Sequence, residues 1–403
     1  MRINKIIATL SMASVIPLCM TASGAGAGEL FAAAAELTRR AAYFSAGVST
    51  EKNSIRIESS VPDIQTVEPI ITATSEPYFT DEPPSYSEET AESAETIEFA
   101  ETAESEPVAT PSAVVISRNI TDFDDGLDRT AEGNRSGVIT RRTYGKYTSA
   151  DYITLSSGAQ VRNCTSDSNE ALISASKELP PLTIHSDSPE PQVLIVHTHA
   201  TESFEPYQRD YFDGEFPFRS RDSRYNMVAV GTALAESLAK NGISVVHDGT
   251  LHDYPAYTGA YDRSEETIRS ILEEYPSIKV VIDLHRDAIS EADGSRIAPV
   301  TEINGRSAAQ LMIISGCDDG RFNMPHYMEN FKLAALIQNS TEIMYPSLAR
   351  AVLFDYRNYN QHITTGSLLI EIGTHANSLD EAIYTAELLG ESMAAALKLL
   401  TDT

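Results

Sequence analysis

From Val193 onward, short apolar runs alternate with helix-period segments, and this alternation restricts the chain to a sheet whose strands are joined by helical crossovers. The first run, Val193, Leu194, Ile195 and Val196, has no polar face, as expected of a strand covered on both sides. A long loop follows, and then NMVAVGTALAESLAKNG puts Val230, Leu234 and Leu238 on one helical face and stops at Gly242. The pattern continues through ISVVHD, a helical RSEETIRSILEEY ending before Pro276, KVVIDLHRD, LMIIS, the helical FKLAALIQNSTEIMY, AVLFDY and SLLIEIG. The last helix opens at Ser378 with Glu381 three residues on, a capping box. The expected fold is α/β: a mostly parallel or mixed twisted sheet flanked by helices on both faces, over residues 191–403.

Open α/β sheets bind ligands outside the carboxyl ends of their strands. Three of the apolar runs end on, or contain, residues that suit a metal. His197, Thr198 and His199 follow the first run, the strand in KVVIDLHRD is expected to end at His285, and Glu371 sits within SLLIEIG. The spacing His199-x-x-Glu202 lets a short turn bring an imidazole and a carboxylate to one ion. His199, Glu202 and His285 are thus the candidate ligands, with His197 either orienting one of them through a hydrogen bond or serving as an alternate ligand. Two histidines and one glutamate leave a fourth position open on zinc, and a further glutamate can serve as general base. Surface loop roles compete for the histidines of the first run. For His285 the competitor is a core imidazole held by Asp283 or Asp287. Glu371 is costly to ionise inside an apolar run unless it faces a polar cavity or a partner such as Arg286. Arg286 and His375 are candidate substrate contacts. His247, His252, His326 and His362 lack ligand-like spacing and are expected in ordinary exposed roles.

The loop from Phe204 to Tyr225 carries seven aromatics and four arginines. It suits the wall of a groove for a sugar or peptide bearing carboxylates, and equally a loop folded on itself.

A net charge of -28 is too lopsided for one compact body. Thirteen Asp or Glu, six prolines and no Lys or Arg fall between Val61 and Thr110, so residues 29–111 are expected to form a disordered acidic tether. The acidity, with no basic stripe, argues against nucleic acid. Arg2 and Lys5 precede an uncharged run from Ile6 to Gly28, expected to be an export signal or membrane anchor over 1–28 that places the rest outside the cell membrane. Residues 112–190 mix short strand-like pieces (AVVIS, DYITL, AQVRN) with a short helix and are expected to be a small preface to the main domain. Cys19, Cys164 and Cys317 are too few and too scattered for a disulfide framework or a Cys-rich zinc site.

HTHATES at His197 to Ser203, NMVAVG at Asn226 to Gly231, DLHRDA at Asp283 to Ala288, NGRSAAQLMIISG at Asn304 to Gly316 and IEIGTHANSLDEA at Ile370 to Ala382 together resemble the stage II sporulation protein P family. That family looks related to zinc-dependent N-acetylmuramoyl-L-alanine amidases. The resemblance implies a zinc enzyme acting on peptidoglycan at the bond between N-acetylmuramic acid and L-alanine, with cross-link endopeptidase activity besides. It implies work during sporulation engulfment, with stage II sporulation proteins D and M as partners. By the same analogy His199 and His285 are ligands and Glu371, in Glu371-Ile372-Gly373, is the base. The amidases take their ligand glutamate from the start of the first long helix, where this chain has Tyr225 and Asn226, and Glu202 is the expected substitute. A zinc carboxypeptidase acting on wall peptides and an inactive wall-binding scaffold are the alternatives.

Overall fold

The computed structural model describes residues 113–401. The expected signal or anchor over 1–28 and the acidic tether over 29–111 lie outside the described residues. In chain order the first elements are β1 (Val115–Arg118), β2 (Gly137–Arg142), β3 (Tyr152–Thr154), β4 (Gln160–Asn163) and helix α1 (Asn169–Ala175). Next come β5 (Val193–Val196), β6 (Tyr211–Phe212), α2 (Met227–Lys240), β7 (Val245–Asp248) and α3 (Ala260–Glu274). Then follow β8 (Val280–Asp287), β9 (Arg296–Ile303), β10 (Arg306–Ala309), β11 (Leu311–Gly316), α4 (Tyr327–Met344), β12 (Val352–Asp355), β13 (Ser367–Thr374) and α5 (Leu379–Leu397).

Nine strands form one mixed sheet in the order β1-β7-β5-β8-β13-β11-β12-β4-β3. All neighbours run parallel except β13 with β11 and β4 with β3. The expected α/β class with a mixed sheet is therefore the observed one. Alternation along β5 shows why helices cover both faces. Leu194 and Val196 pack with Val246, Val281 and the α3 residues Ile268 and Ile271. The next residue on the opposite face, His197, lies against Gly231 of α2. Each fully buried Ile or Leu in such a cluster contributes about 1.5–3 kcal/mol relative to exposure. The expected capping box is present: the Ser378 side chain accepts from the Glu381 amide, and the Glu381 carboxylate accepts from the Ser378 amide.

Within the expected preface over 112–190, the described residues from 113 on do not stand apart. β1 pairs with β7 at one edge of the large sheet, and β4 pairs with β12 near the other. Their backbone groups complete edges that the later strands leave open, so the expected boundary at 190 runs through a single sheet. A second, four-stranded sheet in the order β10-β9-β2-β6 likewise joins elements from both sides of that boundary. None of the described helices is long and apolar enough to cross a membrane.

Candidate metal centre

The chain turns at Thr198, directly after β5. The Thr198 amide donates to Asp283 Oδ1 at 2.8 Å, and its hydroxyl donates to Asp283 Oδ2 at 2.7 Å. This turn sends the two flanking histidines to different places. His197 is fully buried, with Nδ1 2.9 Å from the Leu284 carbonyl and Nε2 2.9 Å from His247 Nε2. His199 emerges on the α3 side, stacked on Tyr257 at 4.5 Å between ring centroids and edge-on to Tyr261 at 5.6 Å and His285 at 5.1 Å. His247 and His252, expected in exposed roles, are buried instead. The His252 imidazole bridges the His197 carbonyl (2.8 Å) and the Thr267 hydroxyl (2.9 Å), so both support the turn from beneath.

His199, Glu202 and His285 come together. Their ligand-type atoms lie within 4.8 Å of one another, and all three residues are buried. His199 Nδ1 is 3.7 Å from Glu202 Oε1, and His285 Nδ1 is 3.7 Å from Glu202 Oε2. Burial opposes ionisation of Glu202, but Arg286, His285 and His199 outweigh it and hold the carboxylate well below its usual range. The Arg286 amide also donates to Glu202 Oε2 at 3.2 Å. Burial pushes His199 down to about 4, which keeps its imidazole neutral and its lone pair available. Burial lowers His285 too, but the carboxylates of Asp283 and Glu202 prevail and raise it well above the ordinary value, so a metal bound at this imidazole would have to displace its proton.

This donor set fits a zinc ion: two imidazoles and an ionised carboxylate gathered within ligand range. On the far side of His285, Nε2 is 2.9 Å from Asp283 Oδ1, although off the line of a good hydrogen bond. A carboxylate on that side is where a metal-binding histidine takes its support, and it leaves Nδ1 facing Glu202.

Glu371 stands beside the three. β13 runs parallel to β8 with Glu371 opposite His285, so both side chains leave the same face of the sheet. Burial, followed by the neighbouring Asp287 and Glu202 carboxylates, pushes Glu371 up to about 8, and its Oε2 is buried without a hydrogen-bond partner. The pairing register shifts between Glu371 and Thr374, where Gly373 takes φ 62°. A Cβ at Gly373 would stand 2.7 Å from Asn377 Oδ1 and 2.9 Å from Ala309 Cβ, so the bulge that ends the pairing requires glycine.

The side chains of the two candidate substrate contacts are engaged with the long loop. Arg286 does not pair with Glu371: its guanidinium donates to the carbonyls of Ser203 (2.9 Å), Phe218 (3.1 Å) and Asp287 (3.3 Å), tying the long loop to β8. His375 packs edge-on to Phe218 at 5.5 Å and has no ring contact with the three ligands. Tyr257, Tyr261 and Tyr359 were not anticipated. Tyr261 stacks on Tyr359 at 5.4 Å and lies 6.5 Å from His285. The tyrosines leading into α3, Tyr254, Tyr257 and Tyr261, were the available signal for Tyr257 and Tyr261, whereas Tyr359, in the loop before β13, had none.

The family model of stage II sporulation protein P matches residues 66–394. The chain belongs to the stage II sporulation protein P family. Stage II sporulation protein P of Bacillus subtilis (strain 168) is 29% identical over 200 residues, an alignment covering 47% of this chain and 47% of that protein, so the match spans about half of each. Among solved structures, the N-acetylmuramoyl-L-alanine amidase AmiC2 of Nostoc punctiforme aligns with TM-score 0.29 and 13% identity, over 52% of this chain and 96% of its own. The CwlD amidase of Clostridioides difficile, solved with the GerS lipoprotein, aligns with TM-score 0.31 and 11% identity, over 52% and 98%.

Proposed function

We propose that the chain is a peptidoglycan hydrolase of sporulation, cleaving the amide between N-acetylmuramic acid and L-alanine, with cross-link endopeptidase activity besides. The observation that carries this is the gathering of His199, Glu202 and His285 at strand ends with Glu371 on the same sheet face. A zinc ion held by the three would supply a Lewis acid for the scissile carbonyl and make water easier to deprotonate. Glu371 Oε2, buried and without a hydrogen-bond partner, is the atom that accepts the attacking water's proton and returns it to the departing amine. Burial, with the Asp287 and Glu202 carboxylates, raises its pKa, and a dication held beside it would lower it toward the ionised form a base needs. Tyr257 is exposed where it stacks on His199, and three residues before it the exposed Tyr254 lies 4.9 Å from the Arg221 guanidinium, which is 3.9 Å from the Phe123 ring. Aromatic faces and a cation at the rim suit a substrate that joins sugar to peptide.

The family reading extends to an extracytoplasmic position held by the N-terminal segment and to partnership with stage II sporulation proteins D and M. Co-purification of D and M with the membrane-bound chain from sporulating cells tests both, and a soluble cytoplasmic chain without them refutes both.

Mass spectrometry of muropeptides released from sacculi tests the reaction. The parent chain should release stem peptides with a free L-alanine amino terminus. Glu371→Gln should keep its fold but lose turnover by roughly 10²- to 10⁴-fold. Loss of only the terminal peptide residue would favour the carboxypeptidase, and no release at all the scaffold.

A further inference from the structure

Arg350 carries a charge that the proposed chemistry does not use. It lies just before β12, where its amide donates to the Leu311 carbonyl at 2.8 Å, and its side chain is only 10% exposed. One end of the guanidinium is fixed, with Nη1 donating to Asp287 Oδ2 at 3.0 Å. The other edge, Nε and Nη2, is buried without any hydrogen-bond acceptor. Other arginines of this fold use that edge fully. Arg209 directs Nε and Nη2 to Glu205, and Arg224 directs them to Asp222. Leaving two charged donors buried and unpaired is costly, because they forgo water and gain nothing in return.

An unpaired Nε/Nη2 edge is the half of a guanidinium that matches two carboxylate oxygens side by side. Its position ties it to the centre. Asp287, which holds the opposite end, is two residues beyond His285 on β8 and so leaves the same face of the sheet as His285 and Glu371. We propose that this edge of Arg350 is a carboxylate-anchoring subsite, holding a free acidic group of the substrate's stem peptide beside Glu371. The peptide is the source because the muramic carboxyl is already consumed in the amide to be cleaved. The choice of molecule rests on the hydrolase reading, whereas the subsite rests on the donors of Arg350.

The test is calorimetric binding to the full chain carrying Glu371→Gln, which is expected not to turn the ligand over. The probes are a muramoyl peptide with free carboxylates and the same molecule with those groups converted to carboxamides. The carboxylate form should bind about 10- to 100-fold more tightly. Arg350→Lys, which keeps the charge but not the fork, should shrink that ratio to near unity while the carboxamide binds as before. Equal binding of the two probes to the unsubstituted Arg350 protein, no binding of either, or an undiminished ratio in Arg350→Lys overturns the subsite. Turnover by the parent chain is scored separately. Carboxylate-selective binding without turnover would keep the subsite and discard the hydrolase, and turnover with equal binding would do the reverse.

Discussion

At the residue scale, the centre depends on which way each side chain leaves its strand. His197 and His199 follow the same apolar run, and in the sequence only the spacing of His199 to Glu202 tells them apart. Their separation comes from Thr198, whose amide and hydroxyl are both bonded to Asp283 on the neighbouring strand, a contact 85 residues away that no local pattern contains. Gly231 records where His197 went. In an open helix, Gly→Ala stabilises by up to about 1 kcal/mol. At Gly231 the new Cβ would stand 2.5 Å from His247 Nε2 and 2.6 Å from His197 Nε2. Gly231→Ala should therefore destabilise by about 1–3 kcal/mol, and His247→Ala in the same chain should recover part of that loss. A melting temperature unchanged or raised in the single variant would contradict the buried histidine pair.

At the scale of elements, the local signals were the legible ones. The capping box at Ser378 needs only four residues, and it forms as expected. Glu381 also accepts from Arg141 and from the Ser307 hydroxyl, which joins α5 to β2 and β10. Burial opposes its ionisation, but the Arg141 and Ser307 bonds prevail and hold the carboxyl below its ordinary value. A carboxyl depressed by folding contributes stability that is full above its unfolded pKa of about 4.3 and is lost as pH falls through the folded value. Glu381→Gln should accordingly be less stable than the parent at neutral pH by about 1–3 kcal/mol, with the gap closing on acidification below about pH 4.3. Denaturant melts across that window check it, and a gap independent of pH would refute it. The β9–β10 hairpin went unread although its turn is Asn304-Gly305, with φ 52° and 77°, the strongest short hairpin signal there is. Its flanks carry Arg296, Pro299, Glu302 and Arg306, so neither strand shows an apolar run.

At the scale of the whole molecule, the alternation from Val193 was enough to predict the class of sheet but not its edges. Edge strands are short and half exposed, as β1 is, so AVVIS, DYITL and AQVRN are readable as strand-like pieces but carry no local sign of the sheet they join. Because β1 and β4 flank β7 and β12, a chain cut to residues 191–403 should leave two open edges and fail to unfold cooperatively, whereas residues 113–403 should melt as one body. A sharp, native-like melt of the shorter piece would contradict that dependence.

The central claim is that three side chains from β8 and the turn after β5 form a zinc site set into a sheet already built without it. Zinc content per chain, read by elemental analysis together with a thermal melt of the same samples, tests this most directly. The parent should carry about one zinc per chain. His285→Ala should carry almost none, yet melt cooperatively, since the ion joins preformed strand ends and does not organise the core. Stoichiometric zinc retained in His285→Ala would contradict the assignment of the site.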